Sequence, residues 1–348
     1  MRLTDDMLAG VDNVTVFDGL IKARAVLLHH KKVSVSISGG SDSDIVLDII
    51  EKCRNDENEI NYVWFDTGLE YMATRKHLRY LEERYGITIE RIKAEKSIPT
   101  CCREIGQPFL SKYISQRIMQ LQKGGFQWED GEYEELRAKY PACPYSAIKW
   151  WCNQYTKELG WHRVSRLDID WRPHLKKFLM AYPPQFRISN KCCTYAKKNP
   201  AIHHERKTNA DLIVMGIRRA EGGVRQFMYK GCYTHDTTQT PTYRPVFWYS
   251  DDDKRYYDEH FGIVHSDCYT KYGLKRTGCV GCPYSKAIGD ELHTIEVYEP
   301  KLAKACKVVF KDAYEYTRMF RDFAGVMHDN LRQNDGQMTI YDYKEGNQ

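Results

Sequence analysis

The chain has 348 residues, 42% hydrophobic and 13% aromatic, which is ample for a packed core and excludes an intrinsically disordered protein. A formal charge of +5 is mildly basic; it suits an anionic substrate and does not by itself indicate nucleic acid. No stretch has the run of apolar residues needed to cross a membrane, and residues 1–10 lack the apolar core of a signal peptide, so a cytoplasmic protein is expected. In that setting twelve cysteines read as metal or redox chemistry before disulfides.

Residues 1–30 read as one helix, with Leu8, Val11, Val16, Leu20, Ile21, Ala25 and Leu28 on its apolar side. Val33–Ile37 is a β-branched run typical of a buried strand, followed by Ser38-Gly39-Gly40-Ser41-Asp42-Ser43 and then by Ile45, Val46, Ile49 and Ile50 at helical spacing. Ile60–Phe65 predicts a second strand ending in Asp66-Thr67-Gly68-Leu69-Glu70. A helix over 71–85 and a strand over Ile87–Ile92 follow. Strands alternating with helices at this spacing predict a doubly wound, mostly parallel α/β sheet with ligands at the carboxyl ends of its strands. Residues 97–175 interrupt the rhythm: they hold most of the seven tryptophans, among them Trp128, Trp150, Trp151 and Trp161, and many basic side chains, with helical patterns near 108–122 and 131–140, and predict a helical insertion or cap. The α/β pattern returns with helices near 172–181 and 193–208 and a buried strand over 211–215. A loop-rich stretch and a long amphipathic helix over about 290–328 follow. The last twenty residues are polar and expected to fray. The expected organisation is therefore 1–96 and 176–290 as the two parts of one α/β domain, 97–175 as the insertion, and 291–348 as a C-terminal helix and tail.

The turn between the first strand and its helix is where chemistry is expected. Strand, glycine turn and helix aim free backbone N–H groups and a positive dipole end at an anion. Gly39 and Gly40 let the backbone approach closely, and Ser38, Ser41 and Ser43 add hydroxyls. The GxxxxGK[ST] spacing is absent, so this is no Walker-type site. The six residues resemble the SGGxDS loop of the PP-loop ATP pyrophosphatases; the plainer reading is a βα turn without a ligand.

Four further matches fall in order behind the loop: Phe65-Asp66-Thr67-Gly68 with Glu70, Lys191-Cys192-Cys193, GIRRAEGGVR from Gly216 to Arg225, and YTKYGLKRTGCVGCP from Tyr269 to Pro283. Together the five resemble the phosphoadenosine phosphosulfate (PAPS) reductase family of the PP-loop superfamily, over roughly residues 30–95 and 175–290. The resemblance implies that Ser38, Gly39, Gly40, Ser41, Asp42 and Ser43 bind nucleotide phosphates, with Gly216 beside them, and that Asp66 and Thr67 line the adenosine pocket. An Asp at position 66 also suits a cap for the next helix. Asp42, Arg218, Arg219 and Arg225 are the expected catalytic groups, since guanidinium forks match phosphate or sulfate oxygens; the alternative is a solvated basic loop.

Cys192-Cys193 with Cys279-x-x-Cys282 supplies four thiolates. The arrangement is similar to that of the iron–sulfur sulfonucleotide reductases, which implies a [4Fe–4S] cluster, with tetrahedral zinc and plain buried cysteines as alternatives. Lys191 resembles the basic residue beside such clusters. Cys101, Cys102, Cys143 and Cys152 match no defensible ligand spacing, and His203, His204 and His265 are assigned nothing.

The resemblance breaks at the tail. Sulfonucleotide reductases attack with a cysteine in a C-terminal Glu-Cys-Gly-Leu-His stretch, whereas here MTIYDYKEGNQ closes the chain and no cysteine lies beyond Cys306. The expectation is an enzyme acting on the α-phosphate of an adenine nucleotide with Mg²⁺, an ATP pyrophosphatase transferring AMP to an acceptor in sulfur transfer. The alternatives are a PAPS or adenylyl-sulfate reductase using a thioredoxin-supplied thiol and a non-catalytic nucleotide-binding module. For the insertion, Lys112, Arg117, Lys123, Lys149, Lys157, Arg163 and Arg166 interleaved with Trp150, Trp151 and Trp161 suggest a nucleic-acid acceptor. A protein partner such as a sulfur donor and a simple lid are the alternatives, and the acidic run from Glu129 to Glu135 argues against phosphate binding.

Overall fold

The computed structural model describes residues 2–160, 162–222, 228–236 and 239–335. The chain divides into two compact units, one made of residues 1–98, 193–280 and 293–302, the other of 99–192, 281–292 and 303–348.

The first unit is built on six strands: β1 (Lys32–Ser36), β2 (Glu59–Asp66), β3 (Ile89–Lys93), β4 (Leu212–Met215), β5 (Tyr233–Asp236) and β6 (Gln239–Tyr243). Their order is β3-β2-β1-β4-β6-β5. All pairs are parallel except β5 with β6, an antiparallel pair with an irregular register between Thr234 and Asp236. In register, Val33 lies beside Ile60 on one flank and Leu212 on the other, so β1 is hemmed by apolar strands, as its composition requires. Successive connections leave β1 towards β2 on one side and return to β4 on the other. The carboxyl ends of β1 and β4 therefore form a topological switch point, where doubly wound sheets bind ligands.

The helix Ser41–Cys53 packs its Ile45, Val46, Ile49 and Ile50 into the core, as its periodicity predicts. Its other face, Asp44, Asp48 and Lys52, is buried as well. There Lys52 Nζ donates to Asp48 at 2.6 Å, and the hydroxyls of Tyr257 and Tyr85 donate to the same carboxylate at 2.7 and 3.0 Å. Polar burial is tolerated because each charge finds partners.

Several expectations are corrected. The N-terminal stretch is two helices, Asp5–Ala9 and Val14–Leu28, because Asn13 caps the second by accepting from the Val16 amide at 3.0 Å. The second buries Val16, Leu20, Ala23 and Leu27, while Ile21 and Leu28 face solvent. In its middle Gly19 faces Tyr249: a Cβ at that position would lie 2.7 Å from the tyrosine hydroxyl, which is buried and has no hydrogen-bond partner among the described residues. The expected long C-terminal helix is three, Ile288–Tyr298, Pro300–Val309 and Lys311–Asp335, since Pro300 lacks the amide that would continue the first. The last runs into the tail expected to fray; residues 336–348 lie outside the described ones. The β5–β6 hairpin and the helix Asp251–Phe261 had no counterpart in the reading of the sequence.

The second unit is helical where the insertion was expected. The helices Lys112–Lys123, Tyr133–Lys139, Tyr145–Trp151, Gln154–Leu159 and Leu175–Ala181 surround an aromatic core. Phe178 stands 5.3 Å from Phe320 and 4.9 Å from Tyr316, ring centre to ring centre. Trp150 and Trp151 are 1% and 0% exposed, so both are packing anchors. Cys101, Cys102, Cys143 and Cys152 are buried, and burial pushes the Cys152 thiol up to about 11. No helix among the described residues is long and apolar enough to cross a membrane.

Candidate nucleotide site

The Ser38–Ser43 turn lies at the carboxyl end of β1. Gly39 takes φ +68°, and a Cβ there would lie 2.7 Å from Thr74 Cγ2, so both conformation and space demand glycine. Gly40 is the residue preceding the helix. Its missing side chain leaves room for Ser38 Oγ, Thr277 Oγ1 and the Tyr269 hydroxyl, which a Cβ would meet at 3.1, 3.1 and 3.2 Å. The Tyr269 hydroxyl sits 3.1 Å from Thr277 Oγ1 and accepts from the Thr277 amide at 3.2 Å, so both residues pack against the loop. Ser43 knots the turn from within: its Oγ donates to the Gly40 carbonyl at 2.7 Å and accepts from the Gly40 amide at 3.1 Å. Its hydroxyl is thus spent on loop shape, leaving Ser38 and Ser41 as the loop's other hydroxyls.

Gly216 stands where β4 leaves the sheet, and a Cβ there would press on the Ser43 amide at 3.1 Å. This contact brings Arg218 onto the loop: its Nε donates to Asp42 Oδ1 at 2.9 Å and its Nη1 to Asp251 Oδ1 at 2.8 Å. Burial pushes the Asp42 carboxyl up and the guanidinium opposes that rise. Arg219 is exposed, its guanidinium 5.6 Å above the Trp248 ring. Arg225 lies outside the described residues. Of the three arginines, then, Arg218 is bound into the loop and Arg219 leans away onto an aromatic ring.

Asp66 is held by its own turn. Its carboxylate accepts from the Gly68 amide at 3.0 Å, from Arg91 Nε at 2.8 Å and from Arg75 at 3.3 Å. Burial opposes ionisation, but these donors outweigh it and keep the carboxyl below its ordinary range. The two guanidiniums also lie over the Trp64 ring, at 5.5 and 5.4 Å. Thr67 is buried and donates its hydroxyl to Glu70 Oε1 at 2.6 Å. Burial raises the Glu70 carboxyl against the nearby Lys197.

Between these elements an open cleft of about 510 Å³ is lined by Ser38, Trp64, Glu70, Thr74, Lys197 and Thr277, with Ser36, Ile37, Phe65 and Gly278 completing its wall. Lys197 is the single basic side chain in that lining. It projects from a π-helical turn, Thr194–Lys198, a wider coil that interrupts the helix expected over 193–208. Lys197, Trp64, Thr74 and Thr277 were not singled out in the sequence, because none stands in a recurring spacing.

Beneath the loop Asp44, fully buried, accepts from His265 Nδ1 at 2.8 Å, and His77 Nε2 lies 3.0 Å away. His265 Nε2 in turn stands 3.0 Å from Asp258, itself bonded to Lys254 at 3.1 Å. Burial favours the neutral ring, yet the two carboxylates outweigh it and push His265 up to about 9.

In the first unit the Cys279 thiol is raised, by burial first, with Lys197, Glu70, Cys193 and Thr67 as its electrostatic neighbours. Cys192 and Cys282 belong to the second unit. Among the described residues no group of three or more His, Cys, Asp or Glu side chains is arranged to hold a metal ion. Cys306 is fully buried and pushed up to about 12, a core residue.

A family model described as the phosphoadenosine phosphosulfate reductase domain matches residues 32–126. Over that segment the chain is similar to the PAPS reductase domain. The match takes in the Ser38–Ser43 loop and the Asp66 turn, while Gly216, Arg218 and the four paired cysteines lie beyond it. An uncharacterised protein of Methanocaldococcus jannaschii is 40% identical over 65 residues, 19% of this chain and 13% of that protein, so the chain spans a small part of the curated relative it matches. Among solved structures, the PAPS reductase of Candida auris in a phosphate complex is 12% identical, with 80% of this chain and 97% of that chain covered at a TM-score of 0.40. The U34-tRNA thiolase NcsA of Methanococcus maripaludis with its [4Fe–4S] cluster is 12% identical, with 92% and 85% covered at a TM-score of 0.38. Around the loop stand the Asp42–Arg218–Asp251 chain and, in the cleft, Lys197.

Proposed function

We propose that the protein binds an adenine nucleotide in the cleft at the carboxyl ends of β1 and β2 and acts at its α-phosphate, as an ATP pyrophosphatase that adenylylates an acceptor in sulfur transfer. The observation that carries this reading is the Ser38–Ser43 turn: Gly39 forced by space and by φ and Gly40 closely packed, at the positive end of a thirteen-residue helix, opening on a cleft whose lining contains one cation, Lys197. In the reaction an acceptor oxygen bonds to the α-phosphorus, the bond from that phosphorus to the bridging oxygen breaks, and pyrophosphate leaves with the electron pair. The loop amides and Lys197 stabilise charge on the departing group. Mg²⁺ enters as the counter-ion of the nucleotide phosphates, and no residue is assigned to it. Trp64, its ring flanked by Arg75 and Arg91, offers a flat wall for the base.

A [4Fe–4S] cluster on Cys192, Cys193, Cys279 and Cys282 is the cofactor part of the proposal. It is supported by the CC and CxxC pairs and by the Cys279 thiol having Cys193 and the cleft residue Lys197 as neighbours. About four irons per chain in protein prepared without oxygen is the expected result; stoichiometric zinc in a colourless sample overturns it. The acceptor partner is proposed to be nucleic acid held by the insertion, with a sulfur-donor protein as the rival.

Anaerobic incubation with Mg²⁺ and either ATP or PAPS tests the reaction. Pyrophosphate from ATP is expected. Sulfite from PAPS with an added thiol-bearing protein assigns a reductase instead, and bound nucleotide with neither product leaves a non-catalytic module. Gly40→Val is the control, expected to abolish nucleotide binding by pressing on Ser38, Thr277 and Tyr269 and so distorting the loop.

A further inference from the structure

The second unit presents a surface that its own packing leaves unexplained. Between the helix Gln154–Leu159 and the helix Leu175–Ala181 the chain is divided between buried and exposed side chains. Ser165, Asp168 and Ile169 point inward at 2%, 2% and 0% exposure, whereas Val164, Leu167 and Trp171 stand outward at 41%, 46% and 52%. The inward residues fix the loop. Asp168 accepts from the Thr156 amide at 2.7 Å and the Tyr155 amide at 3.2 Å, and the Ser165 amide donates to Thr156 Oγ1 at 2.8 Å. The Leu167 carbonyl is held by the Tyr113 hydroxyl at 2.9 Å. Three apolar side chains are thus displayed on a tied loop, with Arg163, Arg166 and Arg172 exposed among them.

The charge around this loop is sorted. Asp168, one of its two acids, is buried as a cap; the other, Asp170, is exposed and accepts from Asn153 Nδ2 at 2.7 Å. The acidic run that argued against phosphate binding is largely neutralised within the unit. Glu129 pairs with Lys139 at 2.7 Å, Asp130 with Lys176 at 2.5 Å, Glu132 with Lys157 at 3.2 Å and Glu134 with Arg137 at 3.7 Å. Lys157, in the pair with Glu132, and Lys149, on Glu158 at 2.6 Å, are two of the basic residues that the sequence suggested as contacts. Arg163 and Arg172 have no ion-pair partner among the described residues, and Arg166 lies 5.2 Å above the Trp171 ring.

We infer that the 163–172 loop is a docking surface for single-stranded nucleic acid, with Trp171 as the base-stacking platform and Arg163, Arg166 and Arg172 on the backbone phosphates. Guanidiniums beside an exposed indole, on a loop fixed before the ligand arrives, match the pattern by which single strands are held without sequence readout. The charge complementarity favours a polyanion over a protein face, and exposed rings suit unpaired bases, which a duplex keeps stacked. This deepens the proposed function by naming the acceptor class, and it rests on that reading only for what the bound strand is for.

The experiment measures fluorescence anisotropy of labelled single-stranded RNA and DNA oligonucleotides with the full chain, between 50 and 200 mM salt. Binding that weakens steeply with salt is expected, and Arg163→Ala with Arg172→Ala should reduce the salt slope by about one for each arginine removed. Trp171→Ala should weaken binding about ten-fold, with Trp171→Phe restoring most of it. Lys149→Ala, already paired with Glu158, should change nothing. Absence of binding at 50 mM salt, or variants that bind like the parent, overturns the inference, as does a preference for an acidic polypeptide over the oligonucleotides. Gly40→Val separates the two proposals: it should keep oligonucleotide binding while losing nucleotide, so a missing pyrophosphatase activity leaves this surface standing.

Discussion

Arg218 is the residue on which the loop's charge depends. Its guanidinium bridges Asp42 in the turn and Asp251 at the start of the helix Asp251–Phe261, with the arginine and Asp42 side chains 11% and 16% exposed. Removing one member of such a pair leaves the other charge uncompensated, which typically costs about 3 kcal/mol. Arg218→Ala should therefore lower the unfolding midpoint markedly, and Asp42→Asn in the same chain should recover part of the loss. Chemical denaturation of the single and double variants checks this; equal stability of Arg218→Ala and parent would show that the pair contributes nothing. The sequence placed Arg218 at the same sheet edge as the loop, because both follow buried strands. It did not reveal that the arginine's first partner is the loop's own aspartate, since a salt bridge across 176 residues has no local signature. Asp66 shows another limit: it was read as suited to cap the next helix, but that helix begins at Met72 with Tyr71 before it, and the Asp66 carboxylate instead accepts from the Gly68 amide and is fixed by Arg75 and Arg91.

At the scale of elements, the apolar face of the helix Ser41–Cys53 was legible in its spacing. Its polar face was not, because Asp44, Asp48 and Lys52 at four-residue intervals read equally well as a solvated stripe. Tertiary partners decide the matter, and His265 is one of them. Its folded value of about 9 lies above the ordinary 6.5, so the stabilisation it supplies is complete below about pH 6.5 and is lost as pH rises through 9. The difference corresponds to about 3 kcal/mol. Urea unfolding at pH 6 and pH 9.5 should show the parent losing an amount of this order, and His265→Asn should flatten the profile while also weakening the seating of the helix Ser41–Cys53. An unchanged profile in the variant would remove His265 from the account. The β5–β6 hairpin escaped the sequence reading because its strands, YTHD and QTPTY, lack an apolar alternation.

For the whole molecule, the order of motifs predicted a sheet interrupted by helices, and the sheet and a largely helical second unit are present. How the chain is shared between the units was not readable. It passes from one to the other at 98, 192, 280, 292 and 302, positions set by packing and not by composition. Neither unit is a continuous segment, so truncation cannot isolate one of them. Each nevertheless has its own apolar cluster. Phe178→Ala, in the aromatic core of the second, should cost about 3–5 kcal/mol yet leave nucleotide affinity unchanged at low temperature, because the cleft's lining comes from the first. Calorimetry and nucleotide titration on the same sample test both halves of that statement.

The meeting of Gly19 with the Tyr249 hydroxyl makes the effects of substitution at these two positions depend on each other. Alanine within a helix is ordinarily about 1 kcal/mol better than glycine, but here the added methyl would strike an oxygen 2.7 Å away, and Gly19→Ala should destabilise. Tyr249→Phe removes an oxygen that has no partner among the described residues, so it should be neutral or stabilising. With the oxygen gone, the nearest ring carbon stands 3.1 Å from the new methyl, close enough to be met by a small shift. The same alanine should then raise stability, its sign reversed by a change more than two hundred positions away. A thermodynamic cycle over the four proteins measures that reversal, and strict additivity would refute it. Sequences of this fold should therefore be free to exchange glycine for alanine at this helix position only after the tyrosine has lost its hydroxyl, an order of events imposed by a single oxygen atom.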